Sequence, residues 1–169
     1  EIPYLGVGLI KKDFVEVSGC LFDPDYFIYA EDVDLGLRIR LNGKKVIFEP
    51  SAVIYHMHAV TMQQTSRAFT TFLMERNLLV TFFKILSLKN VVLFLPYVLL
   101  ARALAVIRDV AAFRFANAFS RLKAVFWILF NLKFIYEKRK HAQKLRKVCD
   151  EFILEVFSEK YLLKKQFII

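Results

Sequence analysis

Cysteine is almost missing from this 169-residue chain: Cys20 and Cys149 are its only two. Two thiols make no disulfide framework, so the small secreted scaffolds held by several bridges are excluded and reduced thiols in a cytoplasmic protein are expected. There is no internal repeat and no low-complexity segment. There is also no apolar run of the roughly twenty residues that a spanning helix needs. The opening EIPYLGVGLI has no initiator Met and no basic n-region of a secretory leader. It reads as the inside of a strand, so a missing N-terminal part is expected.

Apolar side chains are plentiful. Hydrophobic residues make up 57% of the chain, eighteen residues are Phe, and mean hydropathy is +0.42. That exceeds the roughly 45–50% of ordinary soluble domains and points to buried helices, a membrane surface, or both. The formal charge of +9 is unevenly placed, with residues 1–66 at net −3 and residues 67–169 at net +12. An acidic first part joined to a basic, apolar second part suggests a chemical site beside an anionic surface. Phospholipid fits that surface better than nucleic acid, because the cations alternate with aliphatic runs and no recognition-helix pattern accompanies them.

Read in order, Tyr4–Ile10 is a short strand in which Gly6 and Gly8 allow close approach to the backbone. Lys11–Val17 is a short helix, and Phe22–Asp25 is a turn fixed by Pro24. A helix follows from about Asp32 to Leu41, with Val33, Leu37 and Leu41 as its apolar face and Asn42-Gly43 as its left-handed cap. Asp34 and Arg38, four apart, are placed to pair. Lys45–Glu49 and Ala52–His56 read as two more strands. His56 and His58 lack the neighbouring ligands of a structural zinc site. A long helix spans about Gln64–Leu86. The apolar runs Val91–Ala101, which contains Pro96, and Ala124–Leu132 are short and rimmed by cations. Basic residues then cluster in Lys138–Lys147. Such helices fit an interfacial position better than a crossing one; core helices, or a tilted or re-entrant spanning of Ile85–Ile107, are the alternatives.

The stretch richest in chemistry is YAEDVDLGLRIR, Tyr29–Arg40. Glu31, Asp32 and Asp34 fall within four residues, preceded by Phe22, Tyr26, Phe27 and Tyr29. A carboxylate against aromatic walls suits general-base work, while the helix N-terminus favours its ionised form.

With its flanks, this block resembles the C-terminal portion of family-two glycosyltransferases of GT-A type, in the rhamnosyltransferase-like branch. FDPDYFIYAEDVDLGLRIRLNGKKV is similar to the family's FDE-x-FF-x-Y-x-EDVDL-x-x-R-x-R-x-x-G-x-x-V. YLGVGLIKKDF precedes it, and PSAVIYH and Arg76-Asn77 follow in the family's order. The resemblance covers roughly Tyr4–Asn90. It implies an α/β fold, a partial GT-A domain over residues 1–62, followed by an all-helical, membrane-associated region over residues 63–169.

The resemblance also implies transfer of a sugar from a nucleotide-diphospho-sugar to a hydroxyl of a lipid-linked or polysaccharide acceptor, at the cytoplasmic face of the cell membrane. Asp32 maps to the general base and Glu31 to its helper, with Asp34, Arg38 and Arg40 pinning the helix. His56, Arg76, Gly6 and Gly8 map to the donor side, His56 also to a divalent cation (Mg2+ or Mn2+) that would neutralise the leaving diphosphate. Met57 stands where the family often has Gly or Ser. The donor-binding strands and metal motif are absent, so the chain alone is expected to be inactive. The competing readings are an inactive remnant or a non-enzymatic membrane-surface module in which Glu31–Asp34 is only a helix cap.

Overall fold

The computed structural model describes residues 8–53, 55 and 66–157. Its helices are α1 (Lys12–Ser18), α2 (Glu31–Leu41), α3 (Arg67–Ile85), α4 (Leu88–Ala111), α5 (Phe115–Phe130), α6 (Leu132–Gln143) and α7 (Asp150–Leu154). Two 3-10 turns lie at Pro24–Tyr26 and Glu155–Phe157.

The α/β expectation, and with it the partial GT-A fold, is overturned for these residues. No strand and no sheet occurs among them. Lys45–Glu49 has no regular structure, and neither do Gly8–Ile10 or the described part of Ala52–His56. An extended segment becomes a strand only by pairing with a neighbour, because its backbone N–H and C=O groups point sideways. No second strand lies beside Lys45–Glu49 among the described residues. Val46 is buried against Phe14, Leu35 and Ile39, whereas Ile47 and Phe48 are exposed.

The helices are arranged on α3. Ser66 caps its start, the hydroxyl accepting from the Phe69 N–H at 3.2 Å. Its last turn leaves carbonyls without intrahelical donors, and cationic or amide side chains supply them. Arg139 donates to Phe83 O and Leu86 O at 2.6 Å each, and Gln143 to Lys84 O and Ile85 O at 2.9 Å each. Arg146 adds a bond to Ile85 O at 2.5 Å. These contacts lay α6 along the C-terminal half of α3, with α5 continuing the same course on its N-terminal side.

At the α3–α4 joint, the Asp150 carboxylate accepts from Ser87 N at 2.8 Å and from Asn90 Nδ2 at 2.7 Å. α4 then folds back across α5. It contains Pro96 without ending there, and although Arg102 interrupts its apolar run, by length and composition alone it is long and apolar enough to cross a membrane.

α2 is buried on more sides than the Val33/Leu37/Leu41 stripe suggests. Leu37 and Leu41 pack with Ile85, Leu145 and Ile153, while Leu35 and Ile39 pack with Phe14 and Val46. Elements on both sides of residue 62 therefore share one core. The boundary at 62 and 63 itself lies outside the described residues. Gly43 takes the left-handed conformation at φ 76° after α2, and Asn42 stays at φ −79°. The cap thus rests on the glycine, which has no Cβ to strain there.

Candidate active site

The site is built on the loop that delivers the chain into α2. Asp23 opens it, its carboxylate accepting from Asp25 N at 3.2 Å. Three non-glycine residues then have positive φ: Phe27 at 62°, Tyr29 at 70° and Ala30 at 62°. Each is unfavourable for an L residue, by about 1–2 kcal/mol for a Cβ in this region. Such a backbone persists only where the surroundings hold it.

Asn77 on α3 is the principal holder. Fully buried, it shares its amide hydrogens among Tyr26 O at 3.0 Å, Ile28 O at 3.0 Å and Tyr29 O at 2.7 Å. Arg76 reinforces it. Its Nε donates to Asn77 Oδ1 at 2.9 Å, and its Nη2 donates to Asp25 O at 2.9 Å and Tyr26 O at 3.3 Å. The guanidinium also lies 5.4 Å from the centre of the Trp127 ring, a cation–π position that limits its movement.

Beneath the loop is a buried charge cluster. Asp34, wholly buried, pairs with Arg38 Nε at 2.8 Å and Lys84 Nζ at 2.6 Å. Lys84 also reaches Asp23 at 2.9 Å, and Lys138 reaches Asp23 at 2.6 Å. Burial pushes the Asp23 carboxyl up, but the Lys84 and Lys138 ammoniums outweigh it and hold its pKa at about 2. The Tyr26 hydroxyl meets Thr81 Oγ1 at 2.7 Å. Burial, together with the Asp34 charge, drives this phenol well above its ordinary value, so it stays protonated.

Above that cluster, Glu31 and Asp32 form the first turn of α2 and are partly exposed. Asp32 Oδ1 accepts from Val33 N at 2.8 Å. Glu31 Oε2 and the Tyr29 hydroxyl are buried with no hydrogen-bond partner among the described residues. Buried polar atoms left unpaired are uncommon, since each loses its hydration without return.

Of the site residues read from the sequence, the structure brings Glu31, Asp32 and Arg76 to this loop. Gly8 is exposed at the edge of the described chain. Gly6, His56 and His58 lie outside the described residues. Asp32 and Asp34 do not act together on a cation, because both Asp34 oxygens face basic side chains. Among the described residues, no three His, Cys, Asp or Glu side chains converge in a way that fits a metal. Two cavities lie nearby. One of about 130 Å³ is lined by Asp25, Tyr26, Arg76, Asn77, Val80, Trp127 and Phe134. The other, of about 330 Å³, lies between Asp23, Arg38, Lys84, Lys138 and His141.

Beyond the Arg76-Asn77 pair, nothing in the sequence marks Asn77 as the pin of this loop. An amide that serves three carbonyls about fifty positions away has no local signature.

Over 59 residues the chain is 41% identical to the rhamnosyltransferase WbbL of Escherichia coli (strain K12). That partial likeness is to a glycosyltransferase. It takes in 34% of this chain and 22% of that protein, so this chain spans under a quarter of the length of the curated relative it matches. No family model matches, and no solved structure does either.

Proposed function

We propose that this chain carries the acceptor-activating side of a sugar transfer from a nucleotide-diphospho-sugar. The Asp32 carboxylate removes the proton of an acceptor hydroxyl as that oxygen bonds to the anomeric carbon. The bond from that carbon to the diphosphate breaks, and its electron pair leaves with the phosphate. Glu31 orients the acceptor or supports Asp32, while Asn77 and Arg76 act as positioning residues that fix the loop beneath them.

One observation carries this reading. A pair of carboxylates opens α2 at the end of a loop whose strained backbone is held by Asn77, with Glu31 Oε2 and the Tyr29 hydroxyl buried and unpartnered among the described residues. Strain and unpaired polar groups in one place are typical of sites that meet a ligand. The partial likeness to a rhamnosyltransferase supports the same reaction class. The acceptor in this reading is a lipid-linked or polysaccharide hydroxyl at the cytoplasmic face of the membrane. His56, outside the described residues, is the proposed contact to the donor diphosphate or its cation.

The test is Asp32→Asn in the full-length protein. Sugar transfer should fall by about 10²–10⁴-fold, the range for loss of a general base, while nucleotide-sugar binding measured by calorimetry persists. Turnover at the unsubstituted level would remove Asp32 from the role.

A further inference from the structure

The acids of α3, α4 and α5 are turned inward. Between Arg67 and Tyr136 the chain has ten basic residues and only two acids, Glu75 and Asp109. Both acids are covered and answered by arginine. Arg121 on α5 pairs with Glu75 on α3, and its Nε lies 2.8 Å from Asp109 on α4. Arg102 Nε, also on α4, lies 3.2 Å from the other Glu75 oxygen. This four-residue cluster ties three helices together and leaves no negative charge on their outer surface.

That outer surface is apolar in unbroken lines. On α4, Leu93, Leu100, Tyr97, Leu104 and Ile107 are exposed at spacings of three and four. On α5, Phe115, Phe119, Leu122, Phe126 and Leu129 repeat the same spacing and are exposed too. A stripe of this width normally faces a core, yet nothing in the described chain covers it. The charges around it are Lys89, Arg108, Arg114, Lys123 and Lys133, all cationic and exposed.

We infer that the α4–α5 hairpin is a seat for an anionic phospholipid surface. It lies along the membrane with its apolar lines in the boundary between headgroups and acyl chains, and its cations reach lipid phosphates. Charge complementarity selects this occupant over a second copy of the chain, whose matching surface carries the same positive charge. Lys123 decides against a crossing hairpin. It lies midway along α5 and is exposed, so crossing would place an ammonium at the bilayer centre, where charge is most unfavourable. In a hairpin lying flat, it stays at the edge of the apolar lines, its ammonium 4.9 Å from the centre of the Phe72 ring, within the wet boundary that an amphipathic side chain tolerates. The seat rests on no assignment to Asp32, so its failure and a failure of the proposed reaction are separately visible.

The test is sedimentation of the protein with vesicles of phosphatidylglycerol and phosphatidylcholine, compared with phosphatidylcholine alone. Binding should be about tenfold or more tighter with the anionic lipid at low salt and should weaken as salt rises. The double substitution Leu100→Asp with Phe119→Asp should lower partition about tenfold or more, with the circular dichroism spectrum unchanged because both side chains are exposed. No binding to anionic vesicles, or binding indifferent to the double substitution, overturns the seat. So does a self-association equilibrium abolished by the double substitution while vesicle binding is absent, which would assign the face to a second copy. Geometry is read from Ala112→Cys at the hairpin tip, in a Cys20→Ser background with native Cys149 as reference. With protein added outside sealed vesicles, both thiols should react with an impermeant maleimide. Protection of the tip alone would mean that the hairpin crosses, and would overturn the flat arrangement.

Discussion

The side-chain amide of Asn77 donates to the backbone carbonyl of Tyr29 at 2.7 Å, joining the middle of α3 to the residue two before Glu31. Tyr29 has φ 70°, so the bond holds its acceptor in a conformation the residue would not choose. Because the same amide serves Tyr26 O and Ile28 O, the loop cannot relax at one residue without releasing the others. The entry angle of α2, and hence the placement of Glu31 and Asp32, is fixed from α3.

Asn77→Ala should therefore be strongly destabilising. It strips the amide donor from Ile28 O and Tyr29 O, while Tyr26 O keeps Ile28 N and Arg76 Nη2, and each buried group left unsatisfied costs about 1–3 kcal/mol. The loop can swing outward to hydrate some of them, so the expected loss is about 3 kcal/mol in total. Urea unfolding should show a lower midpoint at unchanged slope. A loss under about 1 kcal/mol would mean that the loop is held by other contacts.

Ala30→Gly should act in the opposite direction. Ala30 precedes α2 at φ 62° and ψ 8° and makes no side-chain capping bond. Removing its Cβ relieves left-handed strain, partly offset by the greater freedom of the unfolded chain, and the net gain should be about 0.5–1 kcal/mol. A rise in melting temperature checks it. If the strained loop positions Asp32, transfer activity should not rise with stability.

Local spacing made parts of this arrangement legible in advance. The Asp34–Arg38 pair, the glycine cap after α2 and the long helix into Ile85 all depend on residues within four positions of each other. Strand assignment failed where it needed a distant partner: Lys45–Glu49 has an apolar pattern, but no second strand lies beside it among the described residues. The second buried face of α2 was hidden for a related reason. Arg40 is expected to pin the helix, but its partner Phe152 lies more than a hundred positions later and places a ring 4.5 Å from its guanidinium and a carbonyl on its Nη2. The left-handed turn at Tyr29 and Ala30 was equally hidden, because glycine, its usual sequence marker, is not there.

Acid should weaken the fold through Asp23. Its folded pKa of about 2 lies below the 3.8 of a free carboxyl. The unfolded chain therefore binds this proton first as pH falls, and the stabilisation is complete only above the unfolded value. It is lost between about pH 4 and pH 2 and amounts to about 2 kcal/mol for a shift of this size. Asp150 adds to the same slope: burial raises it, but Ser87, Arg146 and Asn90 outweigh this and lower it. Urea midpoints measured from pH 5 to pH 2 should fall in wild type. In Asp23→Asn they should start lower at pH 5 and fall less.

Arg121→Met tests the cluster that holds α4 to α3. The substitution preserves much of the side-chain length while removing the charge that faces both Glu75 and Asp109. Asp109, almost wholly covered, would keep only the exposed Arg108 at 3.5 Å. Leaving a buried charge without its partner typically costs about 3–5 kcal/mol, and the urea midpoint should fall accordingly. Asp109→Asn alone should also destabilise. Combined with Arg121→Met it should recover part of the loss, since the second change removes the charge that the first left exposed to a poor environment. The coupling between the two sites should then be about 1–3 kcal/mol. Strict additivity would show that the pair does not act as a unit, and that α4 is held to α5 by its apolar contacts alone.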